Sequence, residues 1–129
     1  MNPVVHFEMP YEDAARAIAF YEQAFGWKMQ ALGEEMGGYV LATTVEGQAQ
    51  PGAPSGGING GLFPKDPAMP AQVPSVVIGV GDIEQAMAKV TAAGGKVLGE
   101  PMPIPGVGLY VSFFDTEGNR VSILGVCRT

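Results

Sequence analysis

Slid along itself by 69 residues, the chain comes into register with its own first half, and this internal repeat restricts it to folds assembled from two copies of one small unit. The shift lays Asp13 on Asp82, Ala17 on Ala86, Ile18 on Met87, Tyr21 on Val90 and Gly26 on Gly95, the start, apolar stripe and stop of a helix. In the first copy Asp13 is expected to cap the helix. Ala14, Ala17, Ile18, Tyr21 and Phe25 then recur at helical spacing before Gly26 supplies a left-handed stop. The second copy repeats the scheme with Asp82 as cap, Gln85 as its capping-box partner, Ile83, Ala86, Met87 and Val90 as stripe, and Gly94-Gly95 as stop.

Two residues of slippage, to a shift of 71, lay Tyr39 to Gly47 over Tyr110 to Gly118, with Tyr, Val, Glu and Gly coinciding. Each stretch reads as a strand entering a turn, because β-favouring residues give way to a Glu-Gly corner, and Asp115 to Asn119 supplies tight-turn residues. Strands are also predicted before each helix, Val4 to Met9 and Ser75 to Val80, and after it, Trp27 to Leu32 and Lys96 to Leu98. The order is strand, helix and three strands, twice. Pro64 to Ala71 is too rich in proline for a helix or central strand. The boundary falls there, giving modules 1–64 and 74–129 joined by a linker 65–73. The fold class is α+β: two tandem βαβββ modules, expected to form a curved mixed sheet around a cavity with the helices outside.

Charge and composition remove several functions. Thirteen acidic against seven basic residues give a net charge of -6, so the average surface repels polyanions and nucleic acid is not an expected partner. The opening Met1 to His6 has no basic start, and no stretch approaches the roughly 18 apolar residues of a membrane span. A cytoplasmic protein with no membrane partner is expected. Cys127, the single cysteine, precludes an internal disulfide and reads as a small hydrophobe near a free end. There is no GxxxxGK[ST] phosphate loop or GxSxG elbow, and Gly79-Val80-Gly81 lacks the third glycine of a dinucleotide fingerprint.

Three stretches resemble the vicinal oxygen chelate superfamily of glyoxalase I, bleomycin-resistance proteins and extradiol dioxygenases: Val5-His6-Phe7-Glu8-Met9-Pro10, Ala19 to Trp27 with its aromatic-glycine helix ending, and Asp115-Thr116-Glu117-Gly118-Asn119-Arg120. Gly56 to Leu62 and Ile104 to Gly108 are similar to the branch related to lactoylglutathione lyase, in which a proline usually stands where this chain has Thr116. The resemblance implies a divalent metal held by two His and two Glu, one from the first and one from the last strand of each module. It also implies a homodimer.

Carried over position by position, that ligand set is incomplete. His6 matches. Its counterpart 69 residues on is Ser75, the final-strand Glu falls on Ser122, and the equivalent place in the first module falls on Gly60 or Gly61. Catalytic metal sites need about three protein ligands, and a serine hydroxyl is a poor one. No metal cofactor is therefore expected, and if one binds, His6 is its anchor with Glu8 beside it; the alternative is a divalent metal with atypical ligands. Exchange of modules between identical chains brings together the same four positions and does not change this inventory.

Strand alternation directs Val5, Phe7 and Met9 toward the first helix and His6 and Glu8 into the cup. In the second module Val76, Ile78, Val80, Val121 and Ile123 are assigned to the core, with Ser75, Val77, Gly79, Arg120, Ser122 and Leu124 on the other face. His6 and Glu8 are the candidate catalytic pair, since an imidazole titrates near neutral pH and a carboxylate on the same face tunes it. Ser75, Val77, Tyr110, Ser112, Ser122 and Trp27 are the candidate ligand contacts, with structural packing the competing role for His6, Tyr39, Tyr110 and Trp27. The glycine-rich segments Gly47 to Gly61 and Ile104 to Gly108 are candidate mobile rims, or plain connectors. The expected function is a glyoxalase-like protein binding or weakly transforming a small, partly apolar metabolite without the usual metal. The competing readings are a metal-dependent lyase, isomerase or dioxygenase with atypical ligands, and a fold serving assembly alone.

Overall fold

A computed structural model of the chain describes residues 1–46, 56–69 and 72–125. Cys127, Gly47 with the corner expected there, residues 48–55 of the first glycine-rich segment, and Pro70 and Ala71 of the connector lie outside the described residues. By internal contact the chain divides into two compact units: His6–Pro74, and Met1–Val5 together with the chain from Ser75 onward. The opening five residues therefore group with the second repeat, and Pro3 shows how, its carbonyl accepting from the Gly79 N–H at 2.8 Å.

The elements follow the strand, helix, three-strand order in both repeats: β1 (Val4–Tyr11), α1 (Ala14–Phe25), β2 (Lys28–Ala31), β3 (Val40–Thr43) and β4 (Gly60–Pro64), then β5 (Ser75–Val80), α2 (Ile83–Ala92), β6 (Lys96–Ile104), β7 (Gly108–Phe114) and β8 (Arg120–Gly125). Within the first unit the strands lie in the order β2-β3-β4-β1, and within the second β6-β7-β8-β5. Both copies are thus wired alike. In each, the first and last strands pair in parallel, β1 with β4 and β5 with β8, and the other pairings are antiparallel. The fold is α+β, with mixed β pairing and, among the described residues, one α-helix per module.

Helix starts were legible because capping is local chemistry. Asp13 and Asp82 both have extended backbones, and each carboxylate accepts from the N–H three residues on, Arg16 at 3.0 Å and Gln85 at 3.1 Å. Gly26 ends α1 in the left-handed region at φ 71°, which a Cβ would disfavour. The predicted stripes face the sheets. In the first unit Val40, Ala42 and Leu62 are buried beneath Phe7, Met9, Ala14, Ala17, Ile18, Tyr21 and Trp27. In the second, Ile83, Val111, Phe113 and Ile123 are buried with Ile78, Val80, Ala86, Met87 and Val90 around them.

Several expectations need correction. Phe25, placed on the apolar stripe, is 64% exposed, because it closes the last turn of α1, where its ring lies 6.1–6.3 Å, centroid to centroid, from Phe20, Tyr21 and Trp27. Val5 and Val76, assigned to the core faces, are both exposed. Strand β6 continues past Leu98 to Ile104 despite Pro101 and Pro103. It pairs only with β7 in its unit, and the register shifts between Leu98 and Met102, where Gly99 adopts φ 87°; an edge strand with such an irregularity tolerates prolines. Ile104 to Gly108 is the closed turn of the β6–β7 hairpin, with the Val107 N–H bonded to the Ile104 carbonyl at 2.9 Å. The Asp115–Asn119 turn forms as expected. Asp115 accepts from the Glu117 and Asn119 backbone N–H groups and from the Asn119 side chain, and these bonds, the last foremost, hold its carboxyl below the usual range.

Candidate functional site

The parallel register of each unit resolves which glycine stands at the ligand position. Glu8 is the Cα partner of Gly61, and Val77, 69 residues after Glu8, is the partner of Ser122. Gly61 is therefore the counterpart of Ser122. Side-chain direction agrees: a Cβ on Gly60 would meet the Phe7 ring on the helix-facing side, whereas one on Gly61 would meet the Tyr39 ring.

Tyr39, weighed between recognition and packing from the sequence, is not among the candidate ligand contacts. It directly precedes β3, and its hydroxyl lies 3.0 Å from His6 Nε2 and 3.0 Å from Glu8 Oε2. Alternation along β1 puts His6 and Glu8 on one face, and the phenol joins them. A hydroxyl has one proton, so when it donates to the Glu8 carboxylate it accepts from the imidazole, which fixes the neutral ring as the Nε2–H tautomer. The order is then His6 Nε2–H to Tyr39 O–H to Glu8. The signal that identified Tyr39 was present in the repeat, where it overlies Tyr110, yet only Tyr110 was assigned to the site.

Burial pushes the His6 imidazole below its usual value of 6.5, and the nearby Glu8 carboxylate opposes that shift without cancelling it. His6 is the only histidine, so its ring resonances report the site directly. NMR titration is expected to give a midpoint below 6.5, and Glu8→Gln, which removes the opposing charge, is expected to lower it further. The sign for stability follows. The unfolded chain binds the proton first as pH falls, so this group's contribution is full above about 6.5 and is lost as pH drops toward the folded value. A titration midpoint at or above 6.5 would contradict the burial argument.

In the second unit three of the predicted contacts, Tyr110, Ser112 and Ser122, form a hydroxyl cluster. Ser122 lies 2.7 Å from the Tyr110 hydroxyl and 2.9 Å from Ser112, with both serines buried. The register reproduces the first unit: Leu41 pairs with Gly61 as Ser112 pairs with Ser122, and each tyrosine stands two residues before. Val77 is 1% exposed, a wall rather than an open contact. Ser75 begins β5 and is half-buried. Trp27, assigned to ligand contact, is placed elsewhere: it stacks on Tyr21 with centroids 4.6 Å apart and joins Phe7 in the helix-facing cluster, because that is where its large apolar surface is covered.

The donor set does not fit a four-ligand divalent site. At the four carried-over positions stand one imidazole, one glycine and two serines, and among the described residues no three His, Cys, Asp or Glu stand together. Also among the described residues, no helix is long and apolar enough to cross a membrane.

Comparison with known proteins settles the kinship. A family model of the Glyoxalase/Bleomycin resistance protein/Dioxygenase superfamily matches residues 4–123. The chain belongs to that superfamily. A glyoxylase-like domain-containing protein of Didymella fabae is 33% identical over 119 residues, 90% of this chain and 88% of its own length. The chain spans only 38% of the length of its Mycobacterium bovis relative CFP32, at 32% identity over 108 residues. Among solved structures, a hypothetical protein of Bacillus halodurans C-125 is similar at TM-score 0.69 and 15% identity, covering 99% of this chain and 96% of its own. A methylmalonyl-CoA epimerase of Mycobacterium tuberculosis is similar at TM-score 0.68 and 13% identity, covering 97% and 88%. These structural likenesses establish the fold.

Proposed function

We propose that this superfamily member binds, or slowly transforms, a small, partly apolar metabolite on the His6 face without the four-ligand metal site of its active relatives. The observation that carries the reading is the bridge from His6 through Tyr39 to Glu8, combined with side chains at positions 61, 75 and 122 that cannot chelate strongly. A half-buried imidazole held largely neutral near pH 7 can take a proton at Nδ1. As it does, Nε2–H becomes more acidic, its bond to the Tyr39 oxygen tightens, and the Glu8 carboxylate at the end of the chain offsets the new charge. Such a group suits proton transfer to or from a bound metabolite.

A metal-dependent lyase, isomerase or dioxygenase is the second reading, favoured by the convergence of one His and one Glu on a single oxygen. Elemental analysis separates the two. Protein purified without added chelator is expected to carry well under one equivalent of divalent metal. A metabolite that binds should raise the unfolding temperature equally with and without EDTA, since ligand at about 100 times Kd adds about 2.7 kcal/mol of stability. A stoichiometric ion that disappears in His6→Ala would establish the second reading instead.

A further inference from the structure

Resting on the metal-independent reading above, we infer that Tyr39 and Gly61 act as a plug: the phenol occupies the first module's ligand position and holds His6 and Glu8 together by hydrogen bonds where a cation otherwise would. The fit is close. A Cβ at residue 61 would lie 2.0 Å from the Tyr39 oxygen and 2.1 and 2.2 Å from two of its ring carbons, so no side chain can stand there while the ring is in place. The same oxygen is 3.0 Å from both donor atoms that a metal would use. Metal–nitrogen and metal–oxygen bonds of about 2.0–2.2 Å would need both donors to turn from the phenol.

The second module supplies an independent parallel. Tyr110 takes the same position relative to Ser122 and reaches its hydroxyl at 2.7 Å. Each module thus aims a tyrosine at its last-strand ligand position, and in each the residue there is small, glycine under Tyr39 and serine beside Tyr110. A tyrosine aimed at this position and a large carboxylate in it are alternatives. Tyr39 is accordingly a positioning residue for His6, acting through the Nε2–H bond.

Cobalt(II) titration followed by visible absorption tests the plug on wild type, Tyr39→Phe, and the double variant Tyr39→Ala/Gly61→Glu. Wild type and Tyr39→Phe are expected to bind no stoichiometric cobalt. The double variant, with a second carboxylate introduced beside Glu8 and His6, should gain at least roughly 10–100-fold in affinity, the range that even a supporting partner controls, and lose it with His6→Ala. Stoichiometric binding by wild type that Tyr39→Phe weakens would make the phenol a ligand and overturn both this inference and the metal-independent reading. A folded double variant that binds no cobalt would overturn the plug alone. Tyr39→Phe keeps the ring and so guards against misfolding of the double variant. Its histidine nitrogen-15 shifts should change from a single Nε2–H tautomer to a mixture, and an unchanged tautomer would equally sink the inference.

Discussion

Leu62→Ala is expected to lower the free energy of unfolding by about 3 kcal/mol, within the range of roughly 2–5 measured when a buried leucine is truncated. Leu62 sits in β4 at 2% exposure, paired with Val40 and Met9 on its two neighbouring strands and covered by the α1 stripe. Removing its terminal carbons forfeits their transfer from water and also leaves a void lined by side chains that strand pairing prevents from collapsing. Against a total stability of about 5–15 kcal/mol for an ordinary domain, that is a large fraction. Leu41 is the internal control. One strand away but 37% exposed, its truncation to Ala should cost well under half as much. Urea unfolding checks both, with the midpoint falling and the slope unchanged. Equal losses for the two variants would mean that burial does not order the stability of this sheet.

The same burial logic explains which parts of the molecule were legible before the structure. The internal repeat carried most of it, because helix caps at Asp13 and Asp82 and two-residue alternation along His6–Met9 are local devices that read the same in any context. What alternation cannot supply is register between strands distant in sequence. Gly60 and Gly61 were indistinguishable until Glu8 was seen to pair with Gly61, and an error of one residue exchanges the faces. Tyr39 was obscure for a related reason: its role is created by the absence of a side chain 22 positions later. Val77 reads as a pocket residue from its face, yet neighbours close over it to 1% exposure. Trp27 stands at a helix exit, where direction is set by the turn at Gly26 rather than by periodicity, and it turned to the core. Strand β6, expected only to Leu98, runs on to Ile104, because an edge strand paired to β7 alone in its unit has room for prolines at 101 and 103.

Gly61→Ala should likewise be costly, by about 1–3 kcal/mol or somewhat more, although the backbone there lies in a strand that any residue can adopt. The cost is steric and polar together. A methyl group 2.0 Å from the Tyr39 oxygen must displace the ring, and the ring cannot leave without breaking its bonds to His6 and Glu8, which then stay partly buried with poorer partners. Tyr39→Ala alone loses the same bonds and a ring's worth of packing. In the double variant the methyl enters space already vacated, so the combined loss should fall short of the two single losses added together by about 1–3 kcal/mol, the coupling typical of residues in contact. Gly60→Ala distinguishes this from general crowding. Its Cβ would meet the Phe7 ring and the Phe7 carbonyl oxygen, both at 2.5 Å, on the opposite face, so Tyr39→Ala should give it no relief. Urea unfolding of the two cycles therefore predicts strong coupling for the pair 39 and 61 and additivity, within about 0.5 kcal/mol, for 39 and 60. Additivity in both would mean that the phenol does not stand over Gly61 in solution, and His6 would then lack the partner that sets its tautomer.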